Sequence, residues 1–210
     1  MIPELQPSRH GAAALPLHLV EELNHRVMNE YAEAIAGLSL AAAGDTRGEV
    51  RTALRAAADR LRAHADSHRA LLPPLAEEVN LADYIGRLCA TYSRAALAGR
   101  RVQLMFSTED VWVPSDRGWR LALAVAELVR NAARHGLKGR DGVIAVSLGR
   151  CGGEVCCVVG DNGLAPGQPV EGRGFALVRA LAAELGGAVE WRFGDGGSFA
   201  RLRAPAEALA

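Results

Sequence analysis

The sequence lacks several features that mark particular classes of protein. Lys+Arg and Asp+Glu both number 24 in 210 residues, so there is no basic excess for binding nucleic acid and no acidic excess for mimicking its charge. Phe, Trp and Tyr make up only 5% of the chain, which argues against a stacking surface for single-stranded nucleic acid. No uninterrupted apolar run of about 18 residues exists, and the N-terminus has no apolar signal-peptide core. We therefore expect a cytoplasmic protein that neither crosses a membrane nor binds nucleic acid.

Cysteine is also scarce. The four cysteines are Cys89, Cys151, Cys156 and Cys157, and their spacing fits neither a zinc knuckle nor a C-x-x-C motif. We expect four reduced thiols that are buried or half-buried. Half of the residues are hydrophobic and 23% are charged, which excludes wholesale disorder and allows one domain, or one domain with a small appendage.

The first third of the chain has a helical pattern. Residues 1–16 hold three prolines and little periodicity, and we interpret them as a flexible tail. Apolar residues then recur at steps of three and four, which predicts one helix over about 17–43 and a second over about 47–72. Together they predict a helical hairpin over 17–76, in which each helix has an apolar stripe and only one other helix to cover it. We therefore expect this hairpin to form a four-helix bundle in a homodimer.

Residues 77–205 combine strand and helix patterns. Asn80 is a predicted N-cap, followed by a helix that ends near Gly99, and further helices are predicted over 116–135 and 175–185. Short β-branched or alternating runs predict strands over 101–106, 111–113, 143–148, 155–159, 188–193 and 198–202. Because strands are adjacent late in the chain, the pattern predicts an α+β fold in which one sheet lies under a few helices.

Polar residues recur at informative spacings in this second segment. Glu127, Asn131 and His135 are four residues apart and share one face of a helix, although such a row is also typical of an ordinary polar face. Asp161 emerges from a strand, where its carboxylate can accept a hydrogen bond from an exocyclic amine, and Gly163 lets a flat ring approach the backbone. An ordinary turn with Asx chemistry would have the same sequence.

A further motif has two glycines, Gly172 and Gly174, in front of an apolar helix. Backbone N–H groups at a helix N-terminus bind phosphate, but the motif is neither the G-x-G-x-x-G of a dinucleotide fold nor a Walker G-K-[ST]. The order of the motifs is more specific: E-x-x-x-N in a helix, D-x-G at a strand end, G-x-G before a helix and G-S-F in a final strand. In this order, residues 77–205 resemble the Bergerat ATP-binding fold, which includes gyrase, the heat-shock chaperone ATPase, anti-sigma serine kinases and sensor histidine kinases.

The resemblance implies ATP as the ligand and a role for each motif residue. Asn131 is implied to coordinate Mg²⁺ against the phosphates, Glu127 to support that metal site or its water, and Asp161 to bind the adenine amine. Gly163, Gly172 and Gly174 are implied to shape the pocket and its phosphate turn. Ser198 is implied to lie near the adenine, and Arg134 and His135 to contact phosphate.

The helical hairpin carries another motif. Its stretch L-N-H-R-V-M-N, residues 23–29, resembles the H-R-x-x-N phosphoacceptor box of the HWE-like subclass of bacterial histidine kinases. His25 lies off the apolar stripe, with Glu21 and Asn29 four residues away on either side, so all three can line one exposed face. An imidazole with one free nitrogen is a good phosphoryl acceptor, and a carboxylate or amide on the other nitrogen would fix its tautomer. Without this context, an exposed histidine is usually a solvated residue.

The chain departs from the kinase pattern in several places. The commoner kinases have an acidic base directly after the phosphoacceptor, where this chain has Arg26. The W-x-E signature of strict HWE kinases is absent, and the ATP lid between Gly163 and Gly172 is very short, which favours weaker nucleotide binding. No sensor domain is expected before the hairpin, so a signal would have to arrive through a separate sensor protein or the short tail.

These observations predict a dimeric two-component histidine kinase. Mg·ATP would bind to residues 77–205, and its γ-phosphoryl group would pass to His25 and then to an aspartate on the receiver domain of a response regulator. Other interpretations stay open. They are a histidine phosphotransferase or receiver phosphatase whose second domain serves only for docking, a serine kinase of the anti-sigma type, and a helical adaptor with an inert second domain.

Overall fold

In the computed structural model, the described residues are 17–45, 47–97, 100–164 and 172–206, with side chains described for residue 22 and from residue 24 onwards. The tail predicted over 1–16 and residues 165–171 of the predicted lid lie outside this part of the chain. Within the described ranges, no helix is both long enough and apolar enough to cross a membrane.

The first two helices, α1 (Leu17–Gly44) and α2 (Gly48–Arg69), form the predicted hairpin. At the turn between them, the Asp45 carboxylate accepts a hydrogen bond from the Arg47 backbone N–H at 2.8 Å. Leu40, near the end of α1, is 74% exposed. Among the hairpin side chains that the structure describes, the buried hydrophobic ones are three alanines: Ala42, Ala58 and Ala65. The two helices therefore leave much of their apolar surface uncovered.

The hairpin is joined to the second segment through two carbonyl groups that follow α2. Trp119 Nε1 donates a hydrogen bond to the Leu71 carbonyl oxygen, and the Tyr84 hydroxyl donates one to the Leu72 carbonyl oxygen, both at 2.9 Å. These bonds attach the end of the hairpin to side chains of the second segment.

The described residues contain seven strands: β1 (Glu78–Asn80), β2 (Val102–Thr108), β3 (Trp112–Pro114), β4 (Gly142–Cys151), β5 (Glu154–Asp161), β6 (Ala188–Gly194) and β7 (Gly197–Pro205). Five of them form a sheet in the order β2-β4-β5-β7-β6, in which β2 and β4 are parallel and the other neighbours are antiparallel. The short β1, which the sequence pattern did not predict, pairs with β3 in a separate two-stranded sheet.

Three helices pack against one face of the five-stranded sheet: α3 (Leu81–Ala96), α4 (Ser115–Asn131) and α5 (Arg173–Glu184). The start of α3 is as predicted, because the Asn80 side-chain oxygen accepts a hydrogen bond from the Ala82 N–H at 2.9 Å. Along β4, Ile144 and Val146 are buried whereas Ser147 is exposed, so one face of the sheet is covered and the other is open. The predicted α+β arrangement is confirmed.

The end of α4 differs from the prediction. The α-helix ends at Asn131, and the next turn, Ala132–Gly136, is π-helical. Its hydrogen bond spans five residues, since the Leu137 N–H donates to the Ala132 carbonyl oxygen at 2.9 Å. A π-helical turn holds more residues than an α-helical turn. The helix predicted over 116–135 is therefore α-helical only as far as Asn131, and His135 lies in the π-helical turn.

Candidate functional site

A cavity of about 630 Å³ lies between the end of α4, the start of α5 and the ends of strands β5, β6 and β7. Of the nine residues that the sequence predicts for this site, all except Gly163 line the cavity: Glu127, Asn131, Arg134, His135, Asp161, Gly172, Gly174 and Ser198. The fold thus brings four motifs that are far apart in the sequence to one place.

Asp161 ends β5, and the register of β5 with β7 places Ser198 directly beside it. One oxygen of the Asp161 carboxylate accepts a hydrogen bond from the Gly163 N–H at 2.9 Å, and the other accepts one from the Ser198 hydroxyl at 2.5 Å. A carboxylate has about four lone-pair positions. Asp161 can therefore still accept a hydrogen bond from an amine of a ligand in the cavity.

Two glycines allow the close packing behind Asp161. A Cβ atom at Gly136 would overlap the Asp161 carboxylate, and a Cβ atom at Gly163 would overlap the Gly136 carbonyl oxygen. The sequence suggested that a flat ring approaches Gly163 directly, but Gly163 is buried and does not line the cavity. Its contribution is to hold the Asp161 carboxylate through its N–H.

The first and third motifs meet where α5 begins. Glu127 is only 6% exposed and forms an ion pair with Arg130, one turn further along α4. A Cβ atom at Gly174 would overlap Glu127 Oε1 and would lie 3.2 Å from Asn131 Nδ2. Only glycine lets the α5 N-terminus lie this close to the polar side chains of α4.

Charge and donor chemistry at this end of the cavity suit a polyphosphate with a hard cation. Glu127 and Asn131 offer a carboxylate and an amide oxygen, which are ligands that Mg²⁺ accepts. No group of three or more His, Cys, Asp or Glu residues that could hold a metal exists within the described ranges. Proteins commonly bind Mg²⁺ through one or two carboxylates together with substrate phosphates. Three arginines and a histidine also line the cavity: Arg130, Arg134, Arg173 and His135.

Sequence reasoning missed an aromatic wall. Three of the four phenylalanines in the chain, together with one tryptophan, line the cavity: Phe175, Phe193, Phe199 and Trp191. The Phe175 and Trp191 rings lie with centroids 4.8 Å apart, and the Arg179 guanidinium lies 5.3 Å from the centroid of Trp191. A signal was present, because Trp191 and Phe193 alternate along β6 and so point to the same face of the sheet.

The predicted phosphoacceptor residues lie on α1, and the three whose side chains are described, His25, Arg26 and Asn29, do not line this cavity. His25, Arg26 and Asn29 are exposed, and Arg26 Nε lies 3.0 Å from Glu22 Oε1 in an ion pair. The side chain of Glu21 lies outside the described residues. The two predicted sets of site residues are therefore separate in this arrangement.

Comparison with known families identifies the second segment. Residues 90–203, more than half of the chain, match the family described as the histidine kinase-like ATPase domain. The chain belongs to this family. Residues 22–96 match the family described as histidine kinase, which extends the match across the hairpin and α3. Membership of this ATPase family implies the use of ATP.

Similar proteins are sensor histidine kinases by name. The sensor histidine kinase PdtaS of Mycobacterium tuberculosis is 29% identical over 181 residues, which are 82% of this chain and 36% of that protein. PdtaS of Mycolicibacterium smegmatis is 29% identical over 197 residues, which are 89% of this chain and 39% of that protein. This histidine kinase-like chain thus spans little more than a third of the length of these curated relatives.

Solved structures support the fold. The histidine kinase domain of the Erythrobacter litoralis EL346 blue-light activated histidine kinase aligns with a TM-score of 0.60 at 19% identity and covers 85% of this chain and 96% of that one. A structure described as a bacterial phosphotransferase aligns with a TM-score of 0.60 at 14% identity and covers 91% of this chain and 97% of that one. At these identities the likeness establishes the fold alone.

Proposed function

We propose that this chain is the phosphotransfer and catalytic part of a two-component histidine kinase. ATP bound in the cavity donates its γ-phosphoryl group to His25, and His25 passes that group to an aspartate on the receiver domain of a response regulator. One observation carries the nucleotide part of the proposal. Asp161, Asn131 and Gly174, which come from three separate motifs, line a single cavity in a member of an ATPase family.

The nucleobase binds at the ends of the strands that carry Asp161 and Ser198. The Asp161 carboxylate is held by the Gly163 N–H and the Ser198 hydroxyl, so it accepts a hydrogen bond from the adenine amine without changing its position. The aromatic wall of the cavity supplies a planar surface beside it, on which a flat base can stack. A docking-only domain would have no need of this combination.

The polyphosphate binds at the other end of the cavity. Arg130, Arg134 and Arg173 attract its charge, and the backbone N–H groups from Gly172 to Gly174, at the start of α5, can bind its oxygens. Mg²⁺, when bound, neutralises charge on the phosphate oxygens. Asn131 and Glu127 are the residues that would hold it or its waters, and the buried Glu127 carboxylate is paired with Arg130.

Phosphoryl transfer itself needs an accessible nucleophile and correct positioning more than covalent help from the protein. An unprotonated ring nitrogen of His25 attacks the γ-phosphorus, the bond to the β–γ bridging oxygen breaks, and ADP leaves with that oxygen. No base is required at a nitrogen that carries no proton. Arg26, held by Glu22, stands where the commoner kinases have a carboxylate. Because His25 is exposed and lies outside the cavity, transfer requires the cavity to approach it, in the same chain or in a second copy.

We also propose the kinase subclass, the bounds of the two domains and the dimer. His25, Arg26 and Asn29 fit the H-R-x-x-N box of the HWE-like subclass. We place the hairpin domain at 17–76 and the ATP-binding domain at 77–205, since α2 ends at Arg69 and β1 begins at Glu78. The largely uncovered apolar surface of the hairpin favours a homodimer through a four-helix bundle.

Autophosphorylation with γ-labelled ATP and Mg²⁺ tests this proposal. The wild-type chain should acquire an acid-labile, alkali-stable label, and His25→Ala and Asn131→Ala should abolish it. His64→Ala is the matched control, because His64 is also an exposed histidine on the hairpin and should not matter.

Label that survives in His25→Ala would reject the acceptor, and acid-stable label would move the assignment to a serine kinase. If wild type takes no label from ATP but does take phosphate from a phosphorylated response regulator, the chain is a phosphotransferase instead.

A further inference from the structure

The open face of the sheet has its own concave region, of about 620 Å³, which shares no residue with the nucleotide cavity. Its floor is formed by side chains of β4, β5 and β7 that point away from the helices, including Ser147 and Val158. Two thiols, Cys151 and Cys156, lie at one end of it. Nothing in the proposed kinase chemistry uses this region.

The two thiols contact each other across a β-hairpin. Cys151 is the last residue of β4 and pairs with Glu154 of β5, and Cys156 lies two residues further along β5 on the same face. The Cys151 thiol lies close enough to Cys156 to raise the pKa of that thiol. Cys151 is exposed and Cys156 is buried, so an accessible thiol lies directly on a protected one.

The hairpin turn has room to adjust. It consists of Gly152, with a φ of +66°, and Gly153, and a Cβ atom at either position would meet nothing within 4 Å. Diagonal neighbours on antiparallel strands are further apart than directly opposed residues, so a bond between these sulfurs needs a small movement of the backbone. An unpacked Gly-Gly turn permits that movement.

The surroundings decide which thiol reacts first and with what. Burial, and to a lesser extent the neighbouring Cys151 thiol, raises the pKa of the Cys156 thiol to about 11. Cys156 is therefore protonated near neutral pH, and the exposed Cys151 is the first nucleophile. Arg150, Arg201 and Arg203 line the same concavity together with the carboxylates of Glu109 and Glu154, and the excess of cationic groups in this lining favours a reagent that carries carboxylates.

We propose that Cys151 and Cys156 form a reversible modification site for small anionic disulfides of the glutathione type. The Cys151 thiolate attacks one sulfur of the disulfide, the S–S bond of the reagent breaks, and one thiolate leaves. Cys156 then loses its proton to solvent and attacks Cys151 Sγ, and the second thiolate leaves. Two protein thiols are oxidised to one intrachain disulfide, and one small disulfide is reduced to two thiols.

Peptide mapping without reductant, after incubation of the whole chain with oxidised glutathione and an acid quench, tests the proposal. Wild type should show a Cys151–Cys156 disulfide that forms faster as the pH rises, because the closing thiol must ionise. Cys156→Ser should stop at a stable glutathione adduct on Cys151. Cys151→Ser should stay unmodified, because Cys89, Cys156 and Cys157 are all buried.

Other results would overturn the proposal. Wild type that accumulates the same adduct as Cys156→Ser, with no intrachain bond, would exclude the paired site. A disulfide that maps to Cys157 would place the reaction elsewhere. A neutral reagent, hydroxyethyl disulfide, that matches oxidised glutathione in rate at low salt would exclude the anionic preference. None of these readouts depends on nucleotide, so they stand whether or not the chain is a kinase.

Discussion

The substitution Asp161→Asn should remove adenine recognition while leaving the fold intact. The new side chain has the same shape, and its remaining oxygen can still accept the hydrogen bond that the Gly163 N–H donates. Its NH₂ group cannot accept from the Ser198 hydroxyl or from an adenine amine. A hydrogen bond to a charged group contributes about 1.5–3 kcal/mol, so we expect ATP to bind about 10- to 150-fold more weakly.

Calorimetric titration can separate base recognition from phosphate binding. ATP, inosine triphosphate, which has no exocyclic amine, and tripolyphosphate should be compared on wild type and Asp161→Asn. The variant should bind tripolyphosphate like wild type and should no longer prefer ATP over inosine triphosphate. Asp195→Asn is the matched control, because Asp195 is an exposed carboxylate in the β6–β7 turn and does not line the cavity. An Asp161→Asn variant that keeps wild-type preference for ATP would refute the assignment of Asp161 to the adenine.

Three further predictions concern other positions. Gly174→Ala should weaken ATP binding at least about 10-fold, because the added methyl group overlaps Glu127 Oε1. The control Gly196→Ala, which has open space around it, should bind ATP like wild type. Equal ATP affinities for the two variants would contradict the close packing at Gly174. Trp191→Leu should weaken ATP binding by about 1–3 kcal/mol and should abolish an ATP-dependent change in tryptophan fluorescence. A fluorescence change that persists in this variant would show that the base does not reach the aromatic wall. Burial raises the pKa of the Cys89 thiol to about 12, from a usual value near 9. The unfolded chain therefore releases this proton first, so the contribution of Cys89 to stability should be unchanged below about pH 9 and should then fall by up to about 1.4 kcal/mol per pH unit. Denaturant titrations between about pH 8 and 10.5 should show a shallower fall for Cys89→Ala, and identical slopes would contradict the assignment.

Local signals in the sequence were sufficient for most elements and for the polar part of the site. The Asn80 cap forms because a short amide in front of an apolar repeat has one obvious donor to bind, the Ala82 N–H. Asp161 was identifiable because a carboxylate at the end of an apolar strand has to leave the core on one side of the sheet. Gly172 and Gly174 were identifiable because they precede a helix, where free N–H groups are expected.

What the sequence did not indicate depends on contacts between distant segments. The π-helical turn at Ala132–Gly136 has residues that are equally compatible with an α-helix, and its distinguishing contact is the approach of Gly136 to Asp161, 25 positions away. The aromatic wall combines Phe175 of α5 with side chains of β6 and β7, so it exists only after the sheet order is known. Gly163 was assigned to the cavity by position alone, whereas packing places it behind Asp161.

On the proposed function, ATP held in this cavity phosphorylates His25. The most direct measurement is peptide mapping by mass spectrometry at neutral to mildly alkaline pH, where phosphohistidine survives, after brief incubation of the chain with Mg·ATP. We expect one phosphoryl group on the peptide that contains His25 and none on the peptide with His64 and His68. Asp161→Asn should take no label anywhere when it is assayed at an ATP concentration that only wild type can bind. Phosphate on a serine, or on either histidine of α2 with His25 unmodified, would rule out His25 as the acceptor.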